Sequence, residues 1–112
     1  MSAHFASHAL AVSVVLFCLG AVVVVVRRNL LFKLMGIEVM LNAAGLAFVA
    51  GAAMRSGPSA GRIAAQADGQ SFFIFILPVA AAEVAIGLAL AVLVFQRFRT
   101  LDLNALAKAK EA

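Results

Sequence analysis

Three runs of apolar residues, each long enough to cross a bilayer, constrain this 112-residue chain more than any motif it carries. An α-helix rises about 1.5 Å per residue, so about 20 apolar residues span a hydrocarbon core about 30 Å thick. The first run extends from about Ala6 to Val26, the second from about Leu30 to Met54, and the third from about Phe72 to Phe95. Lipid offers the backbone no hydrogen-bond partners, so each run predicts a helix, including the β-branched stretch Val22–Val26. The predicted fold is an all-α membrane protein with three transmembrane helices, forming a single unit over residues 1–112. The turn formers Gly57-Pro58-Ser59, Gly61 and Asp68-Gly69-Gln70 predict an outer loop over 55–71. Residues 96–112 are expected to form a polar tail, ending in a short amphipathic surface helix or in disorder.

Composition agrees. The chain is 65% hydrophobic and 12% charged, where a soluble domain is about 45–50% apolar and about 25% charged. The excess lies in the three runs, which leaves no material for a soluble domain. A pI near 10.3 raises the question of nucleic acid. That reading fails because the basic residues flank apolar runs and no patch with stacking aromatics forms. No Lys or Arg precedes Arg27, so the first run lacks the basic flank of a signal peptide and is expected to be retained. The single Cys18 cannot pair within the chain and is expected to serve as a small core hydrophobe.

Basic residues set the expected orientation. The short connection after the first helix and the tail must share one side, and together they hold Arg27, Arg28, Lys33, Arg97, Arg99, Lys108 and Lys110. The other side has Arg55 and Arg62, with His4 and His8. Positive residues stay inside, so the N-terminus is expected outside, in the periplasm, and the C-terminus in the cytoplasm.

Two acids then stand out. Glu38 lies ten residues beyond Arg28, roughly 15 Å into the second helix, and Glu83 lies fourteen before Arg97, roughly 21 Å into the third. A charged side chain at such depth costs roughly 2.5–3.5 kcal/mol on insertion scales, and intramembrane acids mark proton or ion paths. Asn42 and Gly45 share the face of Glu38, while Ala80 and Gly87 flank Glu83; small residues at this spacing let helices approach closely. Pro78 cannot donate to the carbonyl of Ile74, so it predicts a kink or hinge five residues before Glu83, or simply a tolerated membrane proline. Lys33 points about 140° away from Glu38 around the helix and is expected to extend to the membrane surface. The partners of the acids must therefore be water, each other, or another protein. Packing alone, with each acid hydrogen-bonding a neighbouring helix, is the plainer alternative. His4 and His8, spaced by one turn, lack a third ligand, so no metal site is expected. No nucleophile with an adjacent base, phosphate loop or redox ligand set is visible.

The stretches Arg27-Arg28-Asn29-Leu30-Leu31-Phe32 and Gly36-Ile37-Glu38-Val39-Met40-Leu41-Asn42-Ala43 to Ala47-Phe48 carry a family likeness, as do Asp68-Gly69-Gln70, Ala80-Ala81-Ala82-Glu83 and Ile86-Gly87-Leu88-Ala89. They resemble the subunit K (NuoK) family of respiratory complex I, the proton-pumping NADH:quinone oxidoreductase, over roughly 27–51 and 68–95. The first helix is similar only in length and hydrophobicity. The resemblance implies a non-redox membrane-arm subunit of a translocase in the bacterial inner membrane. It implies Glu38 and Glu83 as proton-relay acids and Arg27 and Arg28 as the basic pair of the cytoplasmic loop, with Asn42, Lys33 and Pro78 in support. It also implies subunit J and an antiporter-like large subunit as neighbours, with NADH, FMN, iron–sulfur clusters and quinone held by other subunits and no cofactor in this chain. The loop over 55–71 and the tail after Arg99 are longer than the family pattern.

Two other functions compete. A small subunit of a multisubunit cation/proton antiporter shares the three-helix plan but not the paired glutamates. A purely structural trio would cement larger subunits and would tolerate amides at both acids.

Overall fold

The computed structural model describes residues 2–55 and 60–111, with side chains over 4–55 and 67–111. Its helices are α1 (Ser2–Val26), α2 (Leu30–Met54), α3 (Ala60–Phe98) and α4 (Leu103–Glu111). Three of them are long and apolar enough to cross a membrane: α1 over His4–Val26, α2 over its whole length, and α3 over Ala67–Phe98. The turn formers Gly57-Pro58-Ser59 lie outside the described residues.

The connection Arg27-Arg28-Asn29 ends one helix and starts the next. Asn29 has extended backbone (φ −81°, ψ 131°), and its side-chain oxygen accepts the amide of Leu31. This N-cap satisfies one of the amides that a helix start leaves unpaired. Lys33 behaves differently from the sequence expectation. Instead of extending to the surface, it donates its Nζ–H to the carbonyl of Val24 at 2.7 Å. That carbonyl belongs to the last turn of α1, where a cation meets the negative end of the helix dipole.

The three long helices pack as a row with α2 in the middle, and α1 and α3 contact chiefly α2. The molecule is elongated, 65 × 23 × 18 Å. Its core consists of small residues: Ala6, Ser13, Ala43, Ala50, Ala80 and Ala91 are buried, and among the described residues no large side chain is fully buried. Lipid tails are as apolar as leucine, so helices gain by close backbone packing where side chains are small. At the α1–α2 crossing, a Cβ on Gly20 would lie 2.7 Å from the carbonyl oxygen of Gly36. Between α2 and α3, Phe73 packs where Gly45 lacks a side chain, and Leu34 packs on Gly87. The large aliphatics face outward along all three helices.

Two further sequence expectations are corrected. The outer loop expected over 55–71 is helical from Ala60 onward. Gly69 makes no turn; it permits contact, since a Cβ there would overlap the Cβ of Ala52. Next to it the rings of Phe48 and Phe72 stack with centroids 5.5 Å apart, which fastens this end of α3 to α2. Cys18, expected in the core, is exposed on α1.

The tail is ordered as α4. Arg99 adopts a left-handed conformation (φ 56°) after α3, with its amide bonded to the Phe95 carbonyl at 2.8 Å, a common helix stop. The chain then pairs with the α1–α2 connection: Leu30 N–H donates to the Leu101 carbonyl and Leu103 N–H to the Arg28 carbonyl, both at 3.0 Å. Asp102 caps α4 by accepting the Asn104 amide at 2.9 Å. Asp102→Ala is expected to fray the first turn of α4 at a cost of about 1 kcal/mol. Amide hydrogen exchange should then quicken at Asn104 and leave α2 unchanged.

Candidate functional site

Glu38 arises from the middle helix and is half-buried. Asn42, one turn further along α2, donates its Nδ2–H to Glu38 Oε1 at 3.3 Å. The spacing makes this contact local, because residues four apart lie on one helix face. One carboxylate oxygen is thus held while the other stays open to a partner.

Glu83 lies on α3 between Ala80 and Gly87, both buried against neighbouring helices, yet its own side chain is exposed. No side chain among the described residues hydrogen-bonds it. The register of α2 against α3 relates the two acids. Leu34 packs on Gly87. In an antiparallel pair, four residues forward along α2 match four residues back along α3, so Glu38 stands level with Glu83. The contacts of Gly45 with Phe73 and of Gly69 with Ala52 follow the same register to within three residues. Counting from the chain's basic ends leaves the two depths about 6 Å apart; the packing removes most of that difference.

The other sequence candidates divide into two groups. Asn42 joins Glu38 directly. Arg27, Arg28 and Lys33 do not reach the acids: Arg27 lies over the Phe32 ring, 5.1 Å from its centroid, and Lys33 holds Val24. They gather at the α1–α2 connection, whose pairing with residues 101–103 brings Arg97 and Arg99 to the same end. Pro78 is exposed, and α3 continues through it as helix. Leu34, which sets the register beside Gly87, escapes sequence reasoning because a leucine in an apolar run carries no signal of its own. Asp102 could have been found: an Asp before Leu-Asn-Ala-Leu is a helix N-cap pattern.

The arrangement offers two carboxyl groups at one level on adjacent helices, and no group of three or more His, Cys, Asp or Glu that could hold a metal ion occurs among the described residues. Comparison with known proteins sharpens its meaning. The family model for NADH-ubiquinone/plastoquinone oxidoreductase chain 4L matches residues 8–111. That match includes most of the first helix, the 55–71 segment and the tail to residue 111. NADH-quinone oxidoreductase subunit K of Nitrosospira multiformis is 55% identical over 101 residues, covering 90% of each chain. The subunit of the same name from Pseudomonas syringae pv. tomato is 50% identical over 105 residues, 94% of each chain, and that of Pseudomonas fluorescens is 49% identical over 98 residues. With two level membrane glutamates and similarity along nearly its whole length, the chain belongs to the NADH-ubiquinone/plastoquinone oxidoreductase chain 4L family.

Proposed function

We propose that this chain is the K subunit of a proton-translocating NADH:quinone oxidoreductase in a bacterial cell membrane, and that it relays protons through Glu38 and Glu83. The observation that carries the relay is the shared level of the two acids on α2 and α3. Family membership supports the setting. Redox chemistry belongs to other subunits, which hold NADH, FMN, iron–sulfur clusters and quinone. The positive end of the bundle supports an N-terminus outside and a C-terminus in the cytoplasm, since Arg27, Arg28, Arg97 and Arg99 gather there.

Each glutamate takes up and releases a proton at an oxygen not engaged by the chain. In Glu38 that is the oxygen left free by Asn42. Glu83, turned outward, exchanges with water or with a residue of a neighbouring subunit, for which subunit J and an antiporter-like large subunit are the proposed occupants. Pro78 leaves the Ile74 carbonyl without its helical donor, an extra acceptor for water about two and a half turns before Glu83 along α3. Electrostatic changes started at the quinone site would shift protons between these groups along the arm.

The test compares Glu38→Gln, Glu83→Gln and the double variant in assembled membranes. If both acids lie on one path, NADH-driven acidification in the double variant falls no further than in the more severe single one, because groups acting as a unit are not additive. Normal acidification in both single variants would leave the chain a structural trio. Sodium-dependent transport lost with the chain would instead favour the antiporter reading.

A further inference from the structure

We propose that the outer groove between α1 and α2 binds one acyl chain of an anionic glycerophospholipid, with Arg27 holding its phosphate. The groove has a volume of about 420 Å³ and is lined from α1 by Leu16, Leu19 and Val23 and from α2 by Met35 and Val39, with Arg27 and Phe32 at one end. Its floor is the crossing of Gly20 and Gly36, where the missing side chains let the two backbones touch and leave a furrow beside them. From Leu16 to Arg27 is eleven residues, about 16 Å of helix, or about half the hydrocarbon thickness. The furrow therefore has the depth of one leaflet, and it ends at a cation. A neighbouring helix would have no need of that coincidence.

The charged end is built to hold a phosphate. Arg27 rests one face on the Phe32 ring at 5.1 Å, which leaves the guanidinium edge free to donate to phosphate oxygens in pairs. Arg28 follows directly, and the backbone pairing of residues 28–30 with 101–103 brings the Arg97 and Arg99 segment to the same end. Lys33 neutralises the negative end of α1 by bonding the Val24 carbonyl, which lowers the repulsion an anion would meet there. Asp102, the acid nearest the connection in sequence pairing, is engaged in capping α4, and Glu111 lies at the far end of that helix. The site is independent of the proton relay, since neither glutamate lines it.

The experiment uses the intact complex reconstituted with phosphatidylglycerol or phosphatidylcholine carrying a photoactivatable diazirine near the end of one acyl chain, with crosslinks mapped by peptide mass spectrometry. Phosphatidylglycerol is expected to label 16–23 and 35–39 about five-fold more than phosphatidylcholine, the factor for one basic residue acting on an anionic lipid. Arg27→Gln should bring the two lipids level. Leu19→Phe, which fills the furrow, should lower labelling by both. Equal labelling by the two lipids in the unaltered complex would reduce the groove to contact with bulk lipid and overturn the proposal. Absence of label from either lipid would mean that a neighbouring subunit covers the groove, and would overturn it as well. The headgroup comparison needs no variant, so poor assembly of Arg27→Gln would not blunt the test.

Discussion

Glu38→Gln is expected to lower NADH-driven quinone reduction and the accompanying acidification at least about ten-fold, while NADH oxidation by an artificial acceptor at the peripheral arm stays unchanged. The size follows from the proposed relay role: a positioned proton-transfer group commonly contributes a hundred-fold or more, about 10²–10⁴. The substitution isolates that role. Glutamine keeps the length and shape of the side chain, and its amide oxygen can still accept the Asn42 Nδ2–H that Glu38 accepts at 3.3 Å. Packing around α2 is thereby preserved, but the amide cannot take up and release a proton. Glu38→Asp provides the complementary measurement, since it keeps the proton and shortens the reach by one methylene; partial recovery is expected. Full quinone-linked activity and acidification in Glu38→Gln membranes would remove Glu38 from the path and make its bond to Asn42 a packing detail.

Gly20→Ala should weaken the α1–α2 contact by about 1–3 kcal/mol, the usual cost of overfilling a packed contact. A Cβ at that position would sit 2.7 Å from the Gly36 carbonyl oxygen and 3.1 Å from the Met40 amide nitrogen. Both are backbone atoms and cannot swing aside; only the Met40 Cγ, also at 2.7 Å, can. The helices must separate, and with them the furrow floor and the Lys33 bond to Val24. The expected readout is a lower temperature at which the subunit leaves the solubilised complex. Gly51→Ala is the matched control. Nothing lies within 4 Å of a Cβ there, and the helix gains about 0.5–1 kcal/mol from the better helix former. If both variants behave alike, the close approach at Gly20 does not govern how α1 sits on α2.

Much of this was legible in the residues because membranes impose few solutions. Long apolar runs must be helices, and the short basic connection forces α1 and α2 into a hairpin. Gly45, Ala80 and Gly87, read as small residues for close packing, do lie at helix contacts. The reading failed where local chemistry has two uses. Gly69 looks like a turn former, yet here it removes a clash with Ala52 and lets α3 start at Ala60. Lys33 looks like a surface cation, yet a helix end nine residues away offers a carbonyl in reach. Cys18 looks like a core residue, but a row of three helices packed through alanine and glycine has little interior for it.

Three membrane-length helices, one basic end and two acids at intramembrane depth follow from the order of residues along the chain, because hydrophobic length and charge cost act on each helix independently of its neighbours. Packing between helices places α2 at the centre, sets Glu38 and Glu83 at one level, and fastens the tail to the α1–α2 connection through residues 101–103. These are matters of register, and register is set by which side chain fits against which missing one. No single helix carries that information.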